Sequence, residues 1–113
     1  MSGITTHVLD TSLGRPAAGV PVTLEFKARD GWRVLGRGLT DTDGRLRDLL
    51  PAGHPLEEGR YRLTFDTGSY FGARGVQVFY ADVIVAFVVR DGAEHYHVPL
   101  LLSPFGYSTY RGS

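Results

Sequence analysis

The sequence predicts an all-β sandwich with one short helix, on three observations. Stretches of alternating apolar and polar residues recur along the 113-residue chain. Turn signals separate them at about 8–12-residue spacing, as in sandwiches. The 15 glycines and six prolines are dispersed, so they punctuate elements and form no linker or low-complexity block. Residues 1–113 are read as a single domain, since this length is too short for two independent cores.

Each element has a local reason. In a strand over residues 4–9, Ile4, Thr6 and Val8 share one face, and Thr5, His7 and Leu9 the other. Val20, Val22, Leu24 and Phe26 alternate with polar neighbours over residues 20–27. Asp30-Gly31 and Asp43-Gly44 bracket a strand over 32–39. Tyr61, Leu63 and Phe65 alternate over 61–65. Asp66 or Thr67 can cap a short helix over 69–74, ended by Gly75. Residues 83–90 form an apolar, β-branched strand, Asp91-Gly92 reads as a hairpin turn, and 94–102 as the return strand. A second turn at Ser103-Pro104-Phe105-Gly106 precedes a last strand over 107–112. Pro99 cannot donate to a ladder, so its strand is expected at an edge or with a local gap.

Composition removes several functions. Twelve basic and 12 acidic residues give a formal net charge of zero, against nonspecific nucleic-acid binding or a polybasic membrane surface. Low net charge tolerates self-association. With no cysteine, disulfides, thiolate zinc sites and cysteine nucleophiles are excluded. The first residues lack a signal-peptide pattern, and the apolar run 83–89 is too short for a bilayer, so a soluble cytoplasmic protein is expected. Asp41-Thr-Asp43-Gly44 opens like a calcium loop, but position 12 is Ala52 instead of Glu. Gly36-Arg-Gly38 lacks the third glycine of a dinucleotide fingerprint. Gly106-Tyr-Ser108-Thr-Tyr110 lacks the last glycine of a nucleophile elbow.

The chemistry-bearing residues gather by alternation. His95, His97, Pro99 and Leu101 share one face, opposite the more core-like Tyr96, Val98, Leu100 and Leu102. Ser108, Tyr110 and Gly112 align on the last strand. With Thr5, His7 and Leu9 they can form one surface that suits a groove or an enclosing interface. Any single histidine on a strand is more often a surface or hydrogen-bonding residue than a catalyst, most of all His54 and His95 beside their turns. His95-x-His97 with His7 could make an open three-His metal site. Against that, no Asp or Glu shares the face to hold a ligand's second nitrogen, so no metal is expected.

Ile4-Thr-Thr-His7-Val-Leu-Asp10 with Gly14-Arg-Pro16-Ala17 resembles the opening of the transthyretin-like fold. His95-Tyr-His97-Val-Pro99-Leu-Leu-Leu-Ser-Pro104 and the terminal Tyr110-Arg111-Gly112-Ser113 resemble its 5-hydroxyisourate hydrolase branch. Thr42-Asp43-Gly44-Arg45 and Tyr61-Arg-Leu-Thr-Phe65 also fit, and the resemblance runs from Ile4 to Ser113. The thyroid-hormone-carrying branch has Lys in place of His7, and Thr in place of His97 and of Tyr110.

The resemblance implies a sandwich of two four-stranded sheets with one short helix. It implies a homotetramer around a central channel, with sites at the dimer–dimer interface. His7, Arg45 and His97 would be catalytic, and His7, Arg45, Tyr110 and Ser113 would bind substrate. The reaction would be hydrolysis of 5-hydroxyisourate to 2-oxo-4-hydroxy-4-carboxy-5-ureidoimidazoline in urate degradation. It needs no metal or organic cofactor. Either histidine can act as base; His7 is slightly favoured, with His97 orienting it or holding substrate. Two other classes stay open: a carrier holding a flat aromatic ligand unreacted, and a structural sandwich with a metal at the histidines.

Overall fold

Period-2 alternation sorts each long strand into a core face and an outer face, and two sheets close over the apolar side. The computed structural model describes residues 3–113. Its strands are β1 (Ile4–Asp10), β2 (Arg15–Pro16), β3 (Pro21–Ala28), β4 (Gly31–Leu39), β5 (Arg45–Leu46), β6 (Gly59–Phe65), β7 (Val83–Val89), β8 (Tyr96–Ser103) and β9 (Gly106–Thr109), with helix α1 (Thr67–Gly72) between β6 and β7. One sheet runs β2-β1-β8-β9, with β5 also paired to β1; the other runs β4-β3-β6-β7. The expected two-sheet sandwich with one short helix is therefore present. The first sheet counts five strands because β2 and β5, each two residues long, join it. Strands that short leave no periodicity to read.

The core lies between the sheets. From the first it takes Ile4, Val8, Leu100 and Leu102, and from the second Val22, Leu24, Leu63 and Phe65, each at most 2% exposed. Burying such a side chain contributes about 1.5–3 kcal/mol. Helix α1 starts two residues before the sequence expectation because Asp66 caps it, accepting from the Ser69 N–H at 3.0 Å. Its Tyr70 hydroxyl donates to Asp10 on β1 at 2.8 Å, tying the helix to the first sheet. Burial pushes the Asp10 carboxyl up, but hydrogen bonds from Ser12, Tyr70 and the backbone outweigh it and leave the pKa lowered. Burial and the same Asp10 contact push Tyr70 up to about 12.

Asp91-Gly92 does not close a hairpin. β7 pairs with β6, whereas β8 pairs with β1 and β9, so this turn carries the chain from one sheet to the other. The return strand begins at Tyr96, after Asp91 has accepted from the Ala93 N–H. β8 is central, not an edge, and it pairs in parallel with β1 without a break, His7 opposite Pro99. The expected gap falls on its other side. The β9 ladder stops at Leu100–Thr109 and returns at the isolated His97–Gly112 bridge. Two-residue alternation places the bond that Pro99 cannot donate opposite Tyr110. The Pro99 carbonyl instead accepts from the Thr109 hydroxyl at 2.7 Å. No helix among the described residues is long and apolar enough to cross a membrane.

Candidate active site

The outer face of the first sheet carries the chemistry. Register puts Thr5 beside His97, His7 beside Pro99 and Leu9 beside Leu101, which is the surface that alternation anticipated. Ser108 lies opposite Leu101 and Gly112 opposite His97, on the same face.

Arg45 reaches this face through a turn. Asp41 accepts from the backbone N–H groups of both Asp43 and Arg45, each at 2.9 Å. The bond from Arg45 lowers the Asp41 pKa despite opposing desolvation. Gly44 has φ of 76° and passes so near β1 that a Cβ would fall 2.3 Å from the Val8 carbonyl oxygen. Its carbonyl accepts from the Val8 N–H at 2.7 Å. The chain then pairs Arg45 directly with His7. The segment that opens like a calcium loop is thus an arginine-presenting turn.

A groove of about 240 Å³ opens there, lined by Thr5, Thr6, Arg45, Arg47, His95, His97 and Ser113. Among the described residues no Asp or Glu side chain lines it, so a chain of zero net charge gathers two arginines and two histidines in one concavity. His97 is half-buried. Desolvation, then Arg45, His7 and His95, lower its pKa and favour the neutral ring. Its Nδ1 lies 2.8 Å from the Thr5 hydroxyl, which is also 3.0 Å from His95 Nε2. Among the described residues no protein group hydrogen-bonds His97 Nε2. Nor do three His, Cys, Asp or Glu side chains among them converge as metal ligands would.

The terminal segment packs against this histidine. The Gly112 N–H donates to the His97 carbonyl at 2.8 Å. A Cβ on Gly112 would fall 2.6 Å from His97 Cδ2, so the ring occupies the place of a side chain. Arg111 donates to Glu94 at 2.9 Å and lies 4.5 Å over the Tyr96 ring, anchoring the tail.

The structure thus gathers Arg45, His97 and Ser113 into one groove, with His7 alongside through its pairing with Arg45. Tyr110 is not among the groove's lining residues in the single chain. It is 58% exposed and lines a separate hollow of about 160 Å³ with Val85, Phe87, Tyr96 and Val98. His54 is exposed on a loop elsewhere. Sequence reasoning passed over Thr5 and Arg47, and treated His95 as a surface residue. Alternation does put Thr5 on the face of His7, but its contact with His97 spans 92 positions and needs the parallel register.

Comparison with known proteins places the chain in a family. The family model described as HIUase/Transthyretin family matches residues 4–112. The 5-hydroxyisourate hydrolase of Salmonella dublin is 48% identical over 97% of this chain and 80% of its own length. The structure of Klebsiella pneumoniae 5-hydroxyisourate hydrolase superposes with a TM-score of 0.87 at 38% identity, covering all of both chains. Sea bream transthyretin in complex with thyroxine superposes with a TM-score of 0.91 at 33% identity, over 98% of this chain and 95% of that one. Backbone likeness alone therefore does not separate hydrolase from carrier, and the residues of the groove must.

Proposed function

The chain belongs to the HIUase/Transthyretin family, and on that premise we propose that it hydrolyses 5-hydroxyisourate on the basic outer face of its first sheet. The observation that carries the reading is the grouping of a half-buried His97 with an open Nε2, Arg45 and adjacent His7. A flat, oxygen-rich, anionic purine derivative fits a concavity lined by two arginines and two histidines.

In the proposed reaction, His7 takes a proton from water as its oxygen attacks the C6 carbonyl. The N1–C6 bond breaks, N1 leaves with a proton, and C6 becomes the new carboxylate. The product is 2-oxo-4-hydroxy-4-carboxy-5-ureidoimidazoline. Arg45 stays cationic, and its planar fork matches the developing oxyanion and the ring's carbonyls. His97 holds substrate and Ser113 makes a polar contact at the rim; Tyr110, which lines the neighbouring hollow in the single chain, offers its flat hydrogen-bonding surface across a subunit contact. The chemistry calls for no metal or organic cofactor.

We place the working site in a homotetramer, at a dimer–dimer contact that encloses the open groove. Support comes from edge strands β7 and β9, and from exposed apolar groups beside them. Ile84 and Val88 are 53% and 46% exposed, and Phe79, Tyr80 and Tyr107 form an edge-to-face aromatic cluster. Unpaired edges with apolar neighbours favour association.

The carrier reading keeps one supporting observation, the superposition on thyroxine-bound transthyretin. Incubation with substrate labelled with ¹³C at C6 separates the two. The hydrolase converts the ring carbonyl signal to a carboxylate faster than the protein-free control does. A carrier returns the label unchanged beyond that background.

A further inference from the structure

Proton counting around Thr5 divides the labour between the two histidines. The Thr5 hydroxyl has one hydrogen and faces two imidazole nitrogens, His97 Nδ1 at 2.8 Å and His95 Nε2 at 3.0 Å. It can donate to one and must accept from the other. Thr5 is 3% exposed and enclosed between the rings, whereas His95 is exposed. A protonated His95 carries hydrogen on both nitrogens and can only donate. A neutral imidazole also prefers its proton on Nε2, so an arrangement in which His95 donates to Thr5 suits both states. The Thr5 hydrogen then points to His97 Nδ1, and a neutral His97 carries its own proton on Nε2. Both rings adopt the tautomer that histidine prefers, and every hydrogen at Thr5 is used.

We infer that Thr5 and His95 are positioning residues that hold His97 as a hydrogen-bond donor through Nε2, leaving the base's part to His7. For its catalytic meaning this rests on the hydrolase reading; the placement of the proton does not. Desolvation and the neighbouring Arg45 lower the ring's pKa, which favours the neutral form that the network uses. The polar groups around it are Thr5 and His7 from β1, Arg45 from β5, Arg47, His95 and Ser113. Arginine side chains bring donors without an acceptor, so neither Arg45 nor Arg47 competes for the Nε2 proton. That proton is available to the C6 oxygen as charge builds on it. The other half of the reaction, removal of a proton from water, falls to the histidine outside this network, His7.

Nitrogen-15 NMR of the imidazoles reads the proton's place directly, with or without activity. Near neutral pH the wild-type protein should show His97 with Nε2 protonated and Nδ1 bare. Thr5→Val removes the donor to Nδ1, so the His97 shifts should move toward mixed-tautomer values. In that variant kcat should fall about 10–100-fold, as when partners that orient a catalytic group are lost. KM should move by less than about threefold, since little ground-state binding is removed. Thr5→Ser should restore both readouts. His95→Gln keeps an N–H donor and should preserve the signature, whereas His95→Ala should loosen it. A wild-type His97 with its proton on Nδ1, or a folded Thr5→Val with wild-type kcat and shifts, overturns the inference. If Thr5→Val folds poorly, the wild-type spectrum still decides. A wild-type protein that does not hydrolyse 5-hydroxyisourate removes the catalytic meaning, and the spectra separately decide the placement.

Discussion

Asp10 and His97 belong to adjacent, paired strands, and each is an ionisable side chain at least partly withdrawn from water. Their surroundings differ in one respect. Asp10, on the core face and 1% exposed, accepts from the Ser12 hydroxyl and backbone, the Leu13 backbone and Tyr70. His97, on the outer face, fixes one nitrogen on Thr5 and leaves the other without a protein partner among the described residues. A buried polar group with its bonding capacity filled is structure. One held rigidly at one end and open at the other is prepared to meet a ligand. The pKa directions follow the same division. Hydrogen bonds to the charged form overcome desolvation at Asp10, while desolvation dominates at His97.

Substitutions can break the contrast from either side. His7→Ala and His97→Ala should each reduce turnover by about 10²–10⁴-fold, the range for a general acid or base. Melting temperatures within a few degrees of wild type should accompany that loss. Arg45→Ala should remove about 2.7–4 kcal/mol of transition-state stabilisation, read as a fall in kcat/KM of about 10²–10³-fold. Asp10→Ala should act in the opposite way. It leaves the Tyr70 hydroxyl and the Ser12 donors unpaired, at about 1–3 kcal/mol of stability in denaturant unfolding. The fraction still folded should turn over normally.

Smaller effects sharpen the same contrast. Gly112→Ala forces the His97 ring from its place, and kcat should fall about tenfold while the fold persists, because small misplacements of a reacting group are costly. The pH dependence of stability should differ in sign of origin but not in direction. The folded His97 pKa is lowered, so the unfolded chain binds its proton first as pH falls. Its contribution is complete above about pH 6.5 and is lost as pH drops through the lowered value. Asp10 loses its contribution only in the acid range below the usual carboxylate pKa. Unfolding titrations at pH 7 and 5 should therefore show a smaller difference in His97→Gln than in the wild-type protein.

Much of this was legible in the sequence because the information is local. Alternation identified the shared faces of residues 4–9 and 94–102, and the Pro99 signal marked a true break in pairing. Asp91-Gly92 misled because turn chemistry specifies a reversal without saying which sheet receives the next strand. β2 and β5 escaped notice at two residues each, although β5 is what delivers Arg45. Tyr110 aligned with the groove residues by period, but the ladder lapses after Thr109 and its side chain turns up in the neighbouring hollow. Thr5 looked like an ordinary strand threonine. Its meaning comes from the parallel pairing that sets it against His97, a contact that periodicity cannot supply.

The most direct test of the account is the rate at which 5-hydroxyisourate disappears. Urate oxidase generates it in situ, and its absorbance is followed without protein, with wild-type protein and with His7→Ala. The account predicts decay well above the uncatalysed rate with the wild-type protein, and close to that rate with a folded His7→Ala. Uncatalysed decay in the presence of folded wild-type protein, or undiminished acceleration by His7→Ala, would contradict it.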